Sequence, residues 1–313
     1  MNQPPEQTYR PDDEIDLREL FATLWRGKWI IVLITVIFAA VGVLYALSKP
    51  NIYQASILLA PSQDEGDPHI SGQLGGLASL AGINIGGGGA NQTIMAKEVL
   101  QSRAFLTDFI HRHNLTVPLM ATKEWNMERE EWTINEEVYN RETQKWLADE
   151  NGKSLKPTDW DLVKTFKEHL SISSNDETGM ISLNIKSQSP PVAKEWAEKL
   201  VRDINEHMRE EDVKEAEARI AYLEKKLSET NIAGMQQVFY QLIESETRTV
   251  MLASAQQEYV FKTVDPAVVP QEKSEPKRAL IAIIAAMLGC MLGVFTVFVL
   301  AFVWPNKELD IKE

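Results

Sequence analysis

Cysteine is almost absent from this 313-residue chain: Cys290 is the only one. An intrachain disulfide and a C-x-x-C redox motif are thereby excluded. Also missing are H-E-x-x-H, G-x-S-x-G and G-x-x-x-x-G-K-[ST], which removes the metallopeptidase, serine-hydrolase and P-loop readings. Charge is absent from two long stretches, the 19 residues from Trp29 to Leu47 and the 26 from Ala279 to Trp304. At about 1.5 Å of rise per residue, each is long enough as a helix to cross a hydrocarbon core of roughly 30 Å. Nearly everything else lies between them. The layout predicts a membrane hairpin carrying one large water-soluble domain.

Basic residues are scarce after the first run. Arg18, Arg26 and Lys28 precede it, then Lys49 stands alone until Lys97. The positive-inside rule places the N-terminus in the cytoplasm, and a second span returns the C-terminus to the same side. The expected boundaries are a tail at 1–28, a transmembrane helix at 29–48, an external domain at 49–278, a second transmembrane helix at 279–304 and a tail at 305–313. A signal peptide fits poorly, because the apolar run is too long, six acidic residues precede it and no A-x-A site follows. Between the tails lie 26 basic and 36 acidic residues, a net charge of −10 that repels nucleic acid.

Within the external domain, Tyr53, Ala55, Ile57 and Leu59 alternate with Gln54, Ser56 and Leu58 as a strand does. Residues 72–92 hold eight of the 16 glycines and read as a Gly-rich loop. From Gln92 to His113 one helical face carries Met95, Val99, Leu106, Phe109 and Ile110. Glu124 to Leu147, charged and Trp-rich, reads as surface helix. Asp159 caps a short helix with Val163, Phe166 and Leu170 inward. Ile172, the turn Asn175 to Gly179, and Ile181, Leu183 and Ile185 form a β-hairpin. Ser189-Pro190-Pro191 opens the longest helix, from Val192 to Asn231, on the order of 60 Å long. Trp196, Leu200, Ile204 and Met208, then Val213, Ala216, Ile220, Leu223 and Leu227, step by threes and fours. A turn at Asn231 to Gly234 leads into a returning face of Met235, Val238, Phe239, Leu242 and Ile243, so 192–258 is expected as a long helical hairpin. Tyr259 to Val264 is β-rich. The fold class is α+β: two transmembrane helices flanking an α/β base, with a mixed sheet, that carries this hairpin.

No catalytic, cofactor-binding or metal-binding residues emerge. His111 and His113 fall on different faces of a helix, and adjacent acidic pairs such as Glu130-Glu131 and Glu136-Glu137 point apart. Three other groups stand out. Pro266, Pro270, Pro276, Lys277 and Arg278 form a stiff, partly basic entry to the second span. Ala285, Gly289 and Gly293 make a small-residue face of GxxxG type, suited to helix association in the membrane, with a weaker one at Gly42 and Ala46. Ile220, Leu223 and Leu227 offer helix faces to neighbouring subunits.

Four of these features together resemble the Wzz-type chain-length determinants, the polysaccharide co-polymerases. They are Glu14-Ile-Asp-Leu-Arg-Glu-Leu20 with Trp25 and Lys28-Trp29, the Tyr53 strand, the segment from Pro266 through Ser274-Glu-Pro-Lys-Arg-Ala-Leu-Ile281, and Gly289 with Gly293. The resemblance is specific at both ends of the chain and weak from about 110 to 170. It implies a periplasmic domain, a homo-oligomeric ring and a non-enzymatic role without cofactors. That role is setting the modal length of an undecaprenyl-linked glycan built by a separate integral-membrane polymerase of the bacterial inner membrane. The short tail after the second span is expected to exclude the kinase-fused type. An exopolysaccharide or capsule polymerisation and export component is the alternative, with a two-span periplasmic sensor subunit or a periplasmic glycan enzyme further behind.

Overall fold

The computed structural model describes residues 17–62 and 88–303. Among these residues the helices are α1 (Leu17–Arg26), α2 (Lys28–Ser48), α3 (Gly88–Gln101), α4 (Arg103–Arg112), α5 (Thr116–Met120), α6 (Asp159–His169), α7 (Pro190–Glu229), α8 (Ala233–Ala255) and α9 (Arg278–Val303). The strands are β1 (Tyr53–Pro61), β2 (Thr122–Asn126), β3 (Glu131–Ile134), β4 (Tyr139–Asn140), β5 (Lys145–Trp146), β6 (Leu170–Ser174), β7 (Ile181–Ser187) and β8 (Phe261–Asp265). They fall into two compact units, one within residues 1–50 and 275–313, the other within 51–274.

In the first unit both charge-free runs are helices long and apolar enough to cross a membrane, α2 with 21 residues and α9 with 26. Their large apolar side chains, Leu33, Leu44, Met287 and Phe295 among them, are left exposed, as lipid-facing residues must be. Helix α1 had no counterpart in the sequence reading. It stops at Gly27, where an added Cβ would collide with Val297 of α9.

The second unit is built on a four-stranded sheet in the order β6-β7-β1-β8. Every pairing is antiparallel, which corrects the expected mixed sheet. Alternation decides its two faces. Ala55, Ile57 and Leu59 of β1, with Ile181, Leu183 and Ile185 of β7, are buried beneath the helices. The other face is polar: Gln54 and Ser56 both donate to the Asn184 side-chain oxygen, at 3.1 and 2.6 Å. The β6–β7 turn follows the sequence. Asn175 accepts from the backbone N–H groups of Glu177 and Thr178, and Gly179 takes φ +67°, open to glycine at little cost.

The first half of α7 lies on this sheet. Ala193, Trp196, Ala197, Leu200, Val201, Ile204 and Met208 are buried with Phe105, Phe109 and Phe166 in one core. Ser189 caps α7, its hydroxyl accepting from Val192 N, and Pro190 and Pro191 occupy the first turn, where no N–H is needed. Two buried polar residues lock the helix in place. Asn205 accepts from Val260 N and Phe261 N, both at 2.8 Å, and donates to Phe261 O at 2.9 Å. Asp203 receives His113 Nε2 at 2.7 Å and lies 3.7 Å from Arg112.

Three local expectations are corrected. Residues 92–113 are two helices, α3 and α4, because the Ser102 hydroxyl accepts from Phe105 N and starts a new helix; Met95 is exposed. Residues 124–147 are two β-hairpins, not a surface helix. Trp125 stacks edge-on against Trp132 at 5.1 Å, and Tyr139 against Trp146 at 5.2 Å. Such cross-strand aromatic pairs outweigh the helical propensity of the charged residues around them. The N-cap of α6 is Thr158, not Asp159, and Leu162 joins Val163 and Phe166 in its buried face. The Gly-rich stretch lies outside the described residues up to 87, and from Gly88 it is the first turn of α3.

The Thr158 cap has a pH consequence. Its hydroxyl and then its backbone N–H donate to the Asp161 carboxylate, at 2.6 and 3.1 Å, and hold the pKa of Asp161 below the usual range. A depressed carboxyl stabilises the fold above its unfolded pKa of about 3.9, and that contribution is lost as pH falls through the lower folded value. Asp161→Asn should therefore lower neutral-pH melting slightly and leave melting at the acid end little changed, so that the acid limb below about pH 4 is flatter.

Candidate functional site

Two surfaces carry the residues singled out in the sequence, and each belongs to one unit. In the first unit the GxxxG face of α9 is turned onto α2. A Cβ added at Gly289 would lie 2.7 Å from Phe38 Cβ and 3.0 Å from Thr35 Cα, and one at Gly293 would lie 2.9 Å from Ile31 Cα. Ala285 sits directly against Gly42. Glycine is needed here because the two backbones touch. The face expected to join chains is thus filled by the chain's own first span. Arg278, at the start of α9, donates from Nε to the carbonyl of buried Ala46 at 3.2 Å. It thereby satisfies one of the terminal carbonyls of α2.

The expected proline segment does not gather into one site. Pro276, Lys277 and Arg278 belong to the first unit, Pro266 and Pro270 to the second. Lys277 and Pro266 are exposed, while Pro270 and Pro276 are half-buried. Just before Pro276, Ser274 donates twice to Ile52 O, at 2.8 Å from the backbone and 3.1 Å from the hydroxyl. That clamp holds the exit of the second unit beside the entry to β1, and no sequence pattern announced it.

The second surface is the hairpin of α7 and α8. Beyond Ala216 no residue of α7 is buried, and α8 folds back along it. Ile220, Leu223 and Leu227 are half-buried in this seam rather than free. Arg219 crosses it to Glu246 at 3.0 Å and reaches Glu215 at 3.3 Å. The hydrogen bond to Glu246, partly offset by burial, raises the pKa of Arg219 above its ordinary value. The returning face of α8 divides. Phe239 and Ile243 turn into the seam, whereas Met235, Val238 and Leu242 are 46%, 52% and 45% exposed. Apolar residues at i, i+3 and i+7 on the outer side give α8 a second greasy stripe. Tyr222, Tyr240, Met251 and Leu252 add to the exposed apolar area. The sequence signal for this stripe was present, in an apolar arc on α8 too wide for one seam.

The histidines and acidic pairs singled out in the sequence do not gather at one place. His111 pairs with Asp159 at 2.8 Å and His113 with Asp203, so the two histidines face different partners. Glu131 is in a strand, and Glu130, Glu136 and Glu137 are exposed. Among the described residues no group of three or more His, Cys, Asp or Glu side chains could hold a metal ion.

These features define a class: two membrane-crossing helices packed through glycines, with an antiparallel α/β unit and a long, outwardly apolar helical hairpin between them in sequence. Known proteins narrow it. Residues 13–113 match the family model of the chain length determinant protein, Wzz, and residues 229–302 match that of the G-rich domain on putative tyrosine kinase. The first of these matches takes in the approach to the first span, the span itself and β1, part of the region on which the sequence resemblance rests. The chain is also similar to the tyrosine-protein kinase etk of Escherichia coli (strain K12) and of Escherichia coli O157:H7. Each is 38% identical over 72 residues, which is 23% of this chain and 10% of the relative. A full-length bacterial polysaccharide co-polymerase of known structure aligns over 95% of this chain and all of its own, at 12% identity and a TM-score of 0.38.

Proposed function

We propose that this chain is a non-catalytic regulator of the modal length of a lipid-linked surface polysaccharide of O-antigen type. It works beside a separate integral-membrane polymerase, as a homo-oligomer of the bacterial inner membrane. Residues 49–278 face the periplasm, and both termini lie in the cytoplasm. One observation carries this reading: the chain-length-determinant match covers the approach to the first span, the span itself and β1. The outer stripe of α8 supports self-association, since a second copy could cover Met235, Val238 and Leu242 as α7 covers Phe239 and Ile243. Ring geometry would then bias when extension stops. The proline-rich segment would set how the α/β unit sits on its anchor.

A second reading, a component of exopolysaccharide or capsule assembly, is favoured by the match of 229–302 to a kinase-associated domain and by the likeness to tyrosine-protein kinase etk. Glycan length profiles separate the two. Deleting the gene should broaden or shift the length distribution of lipopolysaccharide with total synthesis maintained. Val238→Glu with Leu242→Glu should do the same and lower the native mass in nanodiscs, because charge replaces the apolar contact. Replacing Pro266, Pro270 and Pro276 with alanine should shift the profile without changing that mass. Loss of all synthesis, with the polymerase present and folded, would mean a required assembly component instead of a regulator.

A further inference from the structure

Helix α1 is the element that the functions above leave without a role. Val297 of α9 stands against Gly27, the residue between α1 and α2. Beyond Val297, α9 continues from Phe298 to Val303, roughly 9 Å of helix, with no charged residue. Phe302 and Val303 are exposed, and α1 packs against α9. The apolar surface of α9 therefore outlasts α2 on the side where α1 lies. Within α1, Thr23 and Leu24 are half-buried, whereas Phe21 and Trp25, one turn apart, are 69% and 66% exposed. The hydrogen-bond ladder passes through Gly27, from Gly27 N to Thr23 O and from Ile31 N to Gly27 O, so exposed Trp29 follows at the same step of four. We propose that α1 is an interfacial helix whose Phe21–Trp25 face lies in the lipid leaflet at the start of α2, with Arg26 and Lys28 on anionic headgroups. The inference goes beyond length regulation and rests only on the two membrane spans.

Three observations select lipid as the occupant. The first is continuity. Trp29, Ile30 and Leu33 on α2, and Phe302 and Val303 on α9, are exposed apolar side chains of helices long enough to cross a membrane. Helix α1 is joined to the first and packed on the second, so lipid that covers those side chains lies next to Phe21 and Trp25. The second is the type of residue. An indole has an apolar body and a polar N–H, and settles where hydrocarbon gives way to headgroups. The Lys28 ammonium stands 4.8 Å from the centre of the Trp25 ring, on one face of it. A lysine placed in this way runs its stem along apolar surface and carries its charge to the phosphate level. The third is charge. Arg26 and Lys28 are both exposed, and the sequence has no acidic residue from Phe21 to Gln63. Two cations beside an apolar face favour anionic over neutral headgroups. Ala22 and Arg26, one turn apart, occupy the flank turned away from this face, which gives α1 a wet side and a greasy side.

The test uses the full chain in nanodiscs, with Cys290→Ser, so that one introduced cysteine carries a polarity-sensitive fluorophore. Phe21→Cys puts the label on the lipid face. Ala22→Cys puts it about 100° further round the helix, on the side of Arg26. The label at 21 should emit to the blue, be quenched by lipid bearing a nitroxide on its acyl chain, and resist aqueous iodide. The label at 22 should do the reverse. Trp25→Cys is a second position on the lipid face; it should match Phe21→Cys, and it serves where that variant does not fold. Adding phosphatidylglycerol to phosphatidylcholine nanodiscs should shift the emission at 21 further to the blue, and Arg26→Gln with Lys28→Gln should abolish that shift. Equal quenching of the two labels by iodide would overturn the proposal. So would a label at 21 that is shielded from iodide yet untouched by the nitroxide lipid, because a protein surface would then cover the face. Emission indifferent to phosphatidylglycerol would overturn the assignment of Arg26 and Lys28 to anionic headgroups.

Discussion

Gly293→Leu should force α2 and α9 apart and lower the melting temperature of the anchor unit more than any other single change within it. The obstacle is backbone: an added Cβ meets Ile31 Cα at 2.9 Å and Ile31 O at 3.3 Å, and neither can rotate away. Leucine adds three further carbons to that position. Overpacking of this kind costs about 1–3 kcal/mol, and more where the obstacle cannot move. In a bilayer, close packing is a large part of what holds such a pair together, so no hydrophobic term compensates. Gly289→Leu should behave similarly, because Thr35 Cα lies 3.0 Å from its added Cβ. The control is Leu288→Phe, at a side chain that is 47% exposed and free to enlarge. Circular dichroism melts in nanodiscs should show a fall of several degrees for the glycine variants and little for the control. Unchanged melting of Gly293→Leu would mean that the pair is not packed as described. Native mass measured below the melting transition should be unaffected, because the glycines are occupied within the chain; dissociation of an intact fold would return them to the subunit interface.

Asn205→Leu should destabilise the α/β unit most among single polar changes. The side chain of Asn205 answers three backbone groups of the Val260–Phe261 segment, and the residue is 3% exposed. Leucine has a similar volume and fills the space. It leaves two buried N–H groups and one carbonyl without their partner, at about 1–3 kcal/mol each. Asn205→Asp is a sharper probe. Its carboxylate can still accept from both N–H groups but repels Phe261 O, and a buried charge is introduced. Both variants should lower the urea midpoint of a preparation of the full chain, and exchange of the Phe261 amide should accelerate. If Asn205→Leu melts like the wild type, β8 is held by its pairing with β1 alone.

Much of the molecule was legible because its signals are periodic and local. The two charge-free runs need only length and composition to be read, and α2 and α9 begin one residue earlier than expected. The strand alternation from Tyr53 survives because one face of β1 is buried and the other wet. The long helix was readable from Ser189-Pro190-Pro191 and its steps of three and four, and it is 40 residues long as expected, shifted by two. Where local cues conflict, the reading failed. Residues 124–147 carry helix-favouring charges, yet the aromatic pairs that make them hairpins lie seven residues apart in the sequence. A pair of that kind is stabilising only after the chain has turned back, so no window of helical periodicity reveals it.

The sequence by itself determined which segments are apolar, how long each is and at what period its apolar residues recur, since these are properties of neighbours along the chain. It therefore determined the two spans, the strands flanking the α/β unit and the existence of the hairpin. Only the tertiary structure decided what each face meets. It assigned Gly289 and Gly293 to α2, put Ile220, Leu223 and Leu227 in the hairpin seam, and left Met235, Val238 and Leu242 outside. It also joined Asn205 to the Val260–Phe261 segment, brought Arg103 over Trp160 and paired His111 with Asp159. Periodicity says that a helix has an apolar face. Which partner covers that face depends on contacts between residues far apart in the chain, and those exist only once the helices and the sheet have packed.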